Sequence, residues 1–126
     1  NGTMGILGAG NNQIQLMLRE DGKLLVARST GNSSALKQFV SDIALKYNQW
    51  SHIAVVYDCN TLIAYINGKV AGKMKIAPSK RHEFFNAMVL GATCKNLNRP
   101  DLFYKGDMRN VRIYGRALSP HEFLIQ

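Results

Sequence analysis

The sequence predicts an all-β fold, a sandwich of antiparallel strands finished by one short helix, and three observations carry that expectation. Apolar residues alternate with polar ones over short runs, the period of a half-buried strand. Turn pairs such as Asp21-Gly22 and Asn67-Gly68 separate those runs at close spacing. A helix-start signature stands near the end of the chain, at Ser119-Pro120.

Taken in order, Met4 to Gly10 (MGILGAG) is a glycine-rich apolar run. Gln13 to Glu20 then alternates, with Ile14, Leu16 and Leu18 on one face and Gln15, Met17 and Arg19 on the other. Asp21-Gly22 reads as a two-residue type I′ loop into KLLVARS, because Asp and Gly both tolerate positive φ. STGNSS is a polar loop, Ala35 to Val40 resumes the apolar pattern, and a less regular passage runs to Tyr47. Trp50 to Lys69, WSHIAVVYDCNTLIAYINGK, is a hairpin whose runs His52 to Tyr57 and Thr61 to Ile66 are apolar on both faces, as strands near the middle of a sandwich are. Asp58, Cys59 and Asn60 make its turn. Asn67-Gly68 turns again into KVAGKMKIA, where strict alternation sets Val70, Met74 and Ile76 on one face and Lys69, Lys73 and Lys75 on the other. PSKRHEFFN is a loop, Ala87 to Thr93 (AMVLGAT) a buried strand, CKNLNRPDLFYKG a long loop rich in turn residues, and DMRNVRIYG a last strand. In LSPHEFLI, Ser119 is the N-cap, Pro120 the first helical residue and Glu122 the partner that completes a capping box.

A chain of 126 residues, 46% hydrophobic, is long enough to bury its own core as one domain over residues 1–126. It carries no repeat or linker, and no run long enough to cross a bilayer. The opening residues NGTMGILGAGNNQ lack the charged and apolar regions of a secretion signal, and the first residue is not Met, so the chain reads as an excerpt of a longer polypeptide. Lys and Arg number 16 against 8 acids, a formal charge of +8 that favours anionic partners but equally suits solubility. Cys59 and Cys94 stand outside any CxxC spacing, which excludes a zinc framework and leaves two free thiols as the expectation. Sequons at Asn1 and Asn32 matter only in a secretory chain.

Three motifs in order, the Trp50 to Lys69 hairpin, VLGA at Val89 to Ala92, and GDMRNVRIYGRALSPHEF at Gly106 to Phe123, resemble the concanavalin A-like jelly-roll domains of the laminin G-like group, with pentraxins as more distant cousins. The resemblance covers Met4 to Phe123. It implies an all-β, antiparallel two-sheet jelly-roll sandwich with the hairpin through its middle, Trp50 packed inside, and further strands upstream of MGILGAG that this chain lacks. Those strands would come from a preceding part of the polypeptide, or the edges are protected another way, for instance by association with other chains.

The chemistry points away from catalysis. Retaining glycoside hydrolysis needs two carboxylates about 5 Å apart, and Glu20, Glu83 and Glu122 fall in a turn, a loop and a cap. His52, His82 and His121 accompany no Ser or Cys in a nucleophile setting. The resemblance implies calcium on the sandwich rim, yet ATCKN follows VLG where acids would stand, and Arg109-Asn110 replaces an acid pair. Asp58, Asp101 and Asp107 each suit a turn, so calcium is disfavoured and no cofactor is expected. Binding of an anion is the better functional expectation. Lys69, Lys73 and Lys75, the loop residues Lys80 and Arg81, and Arg99, Phe103, Tyr104 and Lys105 of the rim are the candidate contacts, for a sulfated or acidic glycan or an acidic protein. A lysine ladder guarding an edge strand explains the same residues without a ligand. No reader motif favours nucleic acid. The expectation is a noncatalytic recognition module, extracellular or at the cell surface. A structural domain that docks on neighbouring chains and an accessory domain of a larger enzyme stand as alternatives.

Overall fold

Alternating apolar runs pair wherever a turn lets them share one face, and ten strands form in this way among the described residues, which are 2–9, 14–29, 36–76, 88–96 and 99–124 of the computed structural model. The larger sheet contains β1 (Met4–Ala9), β2 (Ile14–Leu18), β3 (Lys23–Ser29), β4 (Leu36–Ala44) and β8 (Met88–Leu90), in the antiparallel order β4-β3-β2-β1-β8. The smaller sheet contains β5 (Ile53–Tyr57), β6 (Thr61–Ile66) and β7 (Lys69–Lys75), in the order β5-β6-β7. A separate pair, β9 (Thr93–Asn96) with β10 (Arg99–Asp101), and the helix α1 (Pro120–Leu124) complete the set.

The core lies between the two sheets. Cross-strand partners share a face, so the registers Leu7 with Leu16, Leu16 with Val26 and Val26 with Phe39 align one apolar row across the larger sheet. Leu62, Ala64 and Ile66 of β6 meet it from the other side, with Leu24, Ala71 and Ile76 in the same cluster. A fully buried Leu or Val such as Leu24, Val26 or Leu62 contributes about 1.5–3 kcal/mol by leaving water. β7 packs over β4, where a Cβ on Gly72 would come within 2.8 Å of the Phe39 ring. At one end Arg28 lays its guanidinium over the Tyr57 ring at 4.0 Å and ties β3 to β5.

A second apolar cluster covers the outer face of the smaller sheet. Leu118 and Phe123 pack on Tyr65 beside Ala54, Val56 and Ile63. Phe123 meets Tyr65 edge-on at 5.2 Å and stacks on His52 at 5.5 Å. One arm of the predicted capping box forms: Ser119 N–H donates to Glu122 Oε1 at 3.0 Å, while the Glu122 N–H bonds the Ser119 carbonyl at 2.9 Å in place of its hydroxyl.

The turns show where local chemistry prevails. Asn67 (φ 52) and Gly68 (φ 80) form the expected left-handed pair. Asp21 does not adopt positive φ, whereas Gly22 does at φ 82. The Gly22 N–H bonds to the Arg19 carbonyl, so this is a three-residue loop over 20–22 rather than type I′. Asp21 instead spends its carboxylate on the Lys23 N–H at 3.1 Å. Between β3 and β4 the register jumps, Lys23 pairing with Ala44 but Leu25 with Val40, and the buried Ser41 hydroxyl fills the gap by accepting from Leu24 N–H at 2.9 Å and donating to the Ile43 carbonyl at 2.7 Å.

Several expectations are corrected. The passage to Tyr47 is regular as far as Ala44. The supposed long loop from Cys94 contains most of the β9–β10 pair, which lies on the back of β1 where Gly5 leaves room for its backbone. AMVLGAT gives only the short β8, because Gly91 turns at φ 78, and Leu90 is half exposed. DMRNVRIYG is no strand: residues 107–114 have no ladder partner among the described residues. For the same reason β5 is an edge of its sheet and not a central strand.

Candidate functional site

The sequence-predicted contacts fall on opposite flanks of the sandwich. On β7 a bulge intervenes: Ala64 pairs with Gly72 but Tyr65 pairs with Val70, which leaves Ala71 as the extra residue. Lys73, opposite Ile63, and Lys75, opposite Thr61, therefore share the outer face. Lys69, opposite the buried Ile66, is thrown to the other side, and Val70 takes its place outside, exposed beside Tyr65. The expected three-lysine face is thus a pair, because one inserted residue reverses the alternation on which it rested.

Phe103, Tyr104 and Lys105 lie at the opposite flank, along the start of β1. Tyr104 N–H donates to the Gly91 carbonyl at 2.8 Å and Lys105 N–H to Met4 Sδ at 3.3 Å, which holds the segment in place and leaves Phe103 65% exposed. Arg99 opens β10, on that flank as well, but its side chain lies outside the described residues. Lys80 and Arg81 lie outside the described residues altogether, as do His82, Glu83, Phe84, Phe85 and the sequon asparagines Asn1 and Asn32.

Other groups lie beyond what the sequence reading placed. Trp50, expected inside, is 54% exposed and carries the Arg109 guanidinium over its ring at 4.2 Å. Tyr47, Val111, Ile113 and Tyr114 are exposed as well. The alternation in NVRIYG was legible, but exposure depends on a neighbour that no local pattern encodes.

Asp58, Asp101 and Glu122 are occupied by the fold. Asp58 Oδ1 accepts from Asn60 N–H at 2.9 Å and Thr61 N–H at 2.7 Å, and those main-chain donors hold its carboxyl below the usual range. The Ser119 amide does the same for Glu122, aided by Arg116 at 2.8 Å. Asp101 accepts from Leu102 N–H at 2.8 Å. Among the described residues no three of His, Cys, Asp and Glu converge as metal ligands, and no strand carries two carboxylates. Cys59 is a free, exposed thiol at the turn tip, at φ 75. Among the described residues no helix is long and apolar enough to cross a membrane.

Comparison with known proteins places the fold. The family model described as the concanavalin A-like lectin/glucanases superfamily matches residues 1–123. A crystal structure of a candidate carbohydrate binding protein from Bacteroides ovatus superposes with TM-score 0.73 at 18% identity over 98% of this chain and 36% of that one. An S-layer domain-containing protein from Clostridium thermocellum superposes with TM-score 0.51 at 28% identity, over 90% of this chain and 55% of that one. The chain thus spans between a third and just over half of the lengths of these two structures. No curated protein matches the chain in sequence. The match over residues 1–123 makes the chain a member of the concanavalin A-like lectin/glucanases superfamily.

Proposed function

We propose that this concanavalin A-like domain is a noncatalytic recognition module for anionic glycan, held by the lysine pair on the outer face of β7. The observation that carries the reading is that pair: Lys73 and Lys75 project on one side of an exposed strand, two residues and so about 7 Å apart. Neither is engaged by an acid among the described residues, where the ion pairs are Arg19 with Asp21 and Arg116 with Glu122. Sulfate or carboxylate groups repeating along a polymer suit such a spacing, and a net charge of +8 speeds their encounter. Phe103 and Lys105, at the other flank, supply a separate contact for a long polymer.

The carbohydrate binding named for the Bacteroides ovatus structure supports glycan as the ligand class. The S-layer domain of the Clostridium thermocellum protein supports a cell-surface or extracellular setting. The noncatalytic part of the reading rests on the described glutamates, Glu20 in a turn and Glu122 in a helix cap.

Heparin chromatography tests it. The Lys73→Ser/Lys75→Ser variant elutes at clearly lower salt than the chain itself, and lower than the charge-matched Lys46→Ser/Arg112→Ser control. Equal shifts in both variants would show that net charge alone retains the domain, and the reading would fail.

A further inference from the structure

We propose that Arg28 and Lys37 form a clamp for one tetrahedral oxyanion, a sulfate or phosphate group, at the end of the sandwich beside Tyr57. The clamp is a different place from the lysine pair of β7 and does not depend on it.

Strand register brings the two cations together. β3 and β4 pair Val26 with Phe39, Ala27 with Gln38 and Arg28 with Lys37, with no shift over that stretch. Side chains directly opposite on an antiparallel pair share a face, with Cβ atoms about 4.5–5.5 Å apart, and like charges so placed are destabilising. The face is the inner one. Val26 is fully buried in the core, and Arg28, two residues on, crosses to the Tyr57 ring on the other sheet. Phe39 packs under Gly72 of β7, so Lys37, two residues before it, rises on the inner side as well, where the core opens to water.

No carboxylate among the described residues pairs with either cation, since the ion pairs there are Arg19 with Asp21 and Arg116 with Glu122. Asp58, which follows Tyr57, spends Oδ1 on the Asn60 and Thr61 amides of its own turn. Asp42 stands five residues beyond Lys37, roughly 16 Å along β4. The residues that join Arg28 to Lys37 in sequence, STGNSSAL, include no acid. A bound anion is the group that turns this repulsion into attraction.

The geometry of the two side chains selects the class of anion. Arg28 is half-buried with its guanidinium carbon 4.0 Å from the centre of the Tyr57 ring, a contact that steadies the group without using an N–H donor. Its fork of donors is left for two oxygens of one ligand. Lys37 is exposed and brings a compact, mobile ammonium from the neighbouring strand. A carboxylate has two oxygens, both of which Arg28 alone can take. A sulfate or phosphate keeps a further oxygen for Lys37.

The test titrates the whole chain, labelled for heteronuclear NMR, with sodium sulfate, inorganic phosphate and N-acetylglucosamine 6-sulfate, each against sodium chloride at matched ionic strength. The Arg28 side-chain N–H and Lys37 amide signals shift and saturate with sulfate, with a Kd of about 1–10 mM, and chloride leaves them in place. Binding of the sugar sulfate about tenfold tighter than sulfate itself assigns the anion to a glycan, and equal or weaker binding assigns it to a free ion; both support the clamp. Lys37→Glu sets an acid opposite Arg28, so it melts higher than the parent without sulfate and binds sulfate at least about tenfold more weakly, a loss that unfolding cannot explain. Lys46→Glu, the same change of charge elsewhere, keeps the parent affinity, as does Lys73→Ser/Lys75→Ser, so this clamp and the glycan reading of β7 can fail separately. Equal shifts with chloride, parent affinity in Lys37→Glu, or loss of the sulfate response in Lys73→Ser/Lys75→Ser would overturn the proposal.

Discussion

β5 and β7 are the two edges of one three-stranded sheet, and they are finished in opposite ways. β7 carries Lys69, Lys73 and Lys75 and a bulge, and it lies closed against β4. β5 is uncharged, unbulged and bare along its outer main chain. The difference teaches where a further strand can join: charges and a bulge stand on the edge that lies over β4, and the β5 edge carries neither.

The sharpest way to probe the contrast is to ask how rigid each flank is. Gly5, in the strand beside the open flank, has no room for a Cβ, which would fall onto the backbone of Ala92 and Thr93. Gly5→Ala should cost about 3 kcal/mol or more in urea unfolding. Gly72, on the closed flank, meets the Phe39 ring, which can turn, and Gly72→Ala should cost about 1 kcal/mol. Equal costs would erase the distinction between a fixed floor and an adjustable wall.

A smaller effect on stability carries more on association. Lys73→Val with Lys75→Val strips the guarded edge and should leave unfolding free energy within about 0.5 kcal/mol. Light scattering should nevertheless show concentration-dependent self-association as β7 becomes like β5. A variant that stays monomeric would show that the lysines serve a ligand and not the edge.

The smallest effect is on pH. Asp58 closes the turn after β5 and Glu122 caps the helix over its outer face, and main-chain amides hold both carboxyls low. A carboxyl lowered by folding stabilises fully above its unfolded pKa and loses that contribution as pH falls through the folded one. Amide exchange at Asn60, Thr61 and Ser119 should therefore quicken below about pH 4, where unfolded carboxyls take up protons. A flat profile through that range would remove the acids from the account of the β5 side.

Much of this architecture was legible in the residues. The Asn67-Gly68 turn, the helix start at Ser119 with Glu122 reaching back to it, and the alternation of β2, β3 and β6 are local, and each appears where its chemistry places it. What escaped depended on partners distant in the chain. Trp50 was expected inside because the resemblance implies it, and it is half exposed, with no strand among the described residues beyond β5 to cover it. Likewise NVRIYG has the composition of a strand but no neighbour to pair with among the described residues. The lysine face was misjudged by one residue, since a bulge leaves no mark in a run such as KVAGKMK.

Ala71 sets the phase of that run. Because β7 counts one residue twice against its neighbour, removing Ala71 would leave Lys69 opposite Ile66, Val70 opposite Tyr65 and Gly72 opposite Ala64 in an unbroken ladder, with each remaining side chain on the face it already holds. The count of residues between Lys69 and Lys73, more than their kind, decides how many positive charges one side presents.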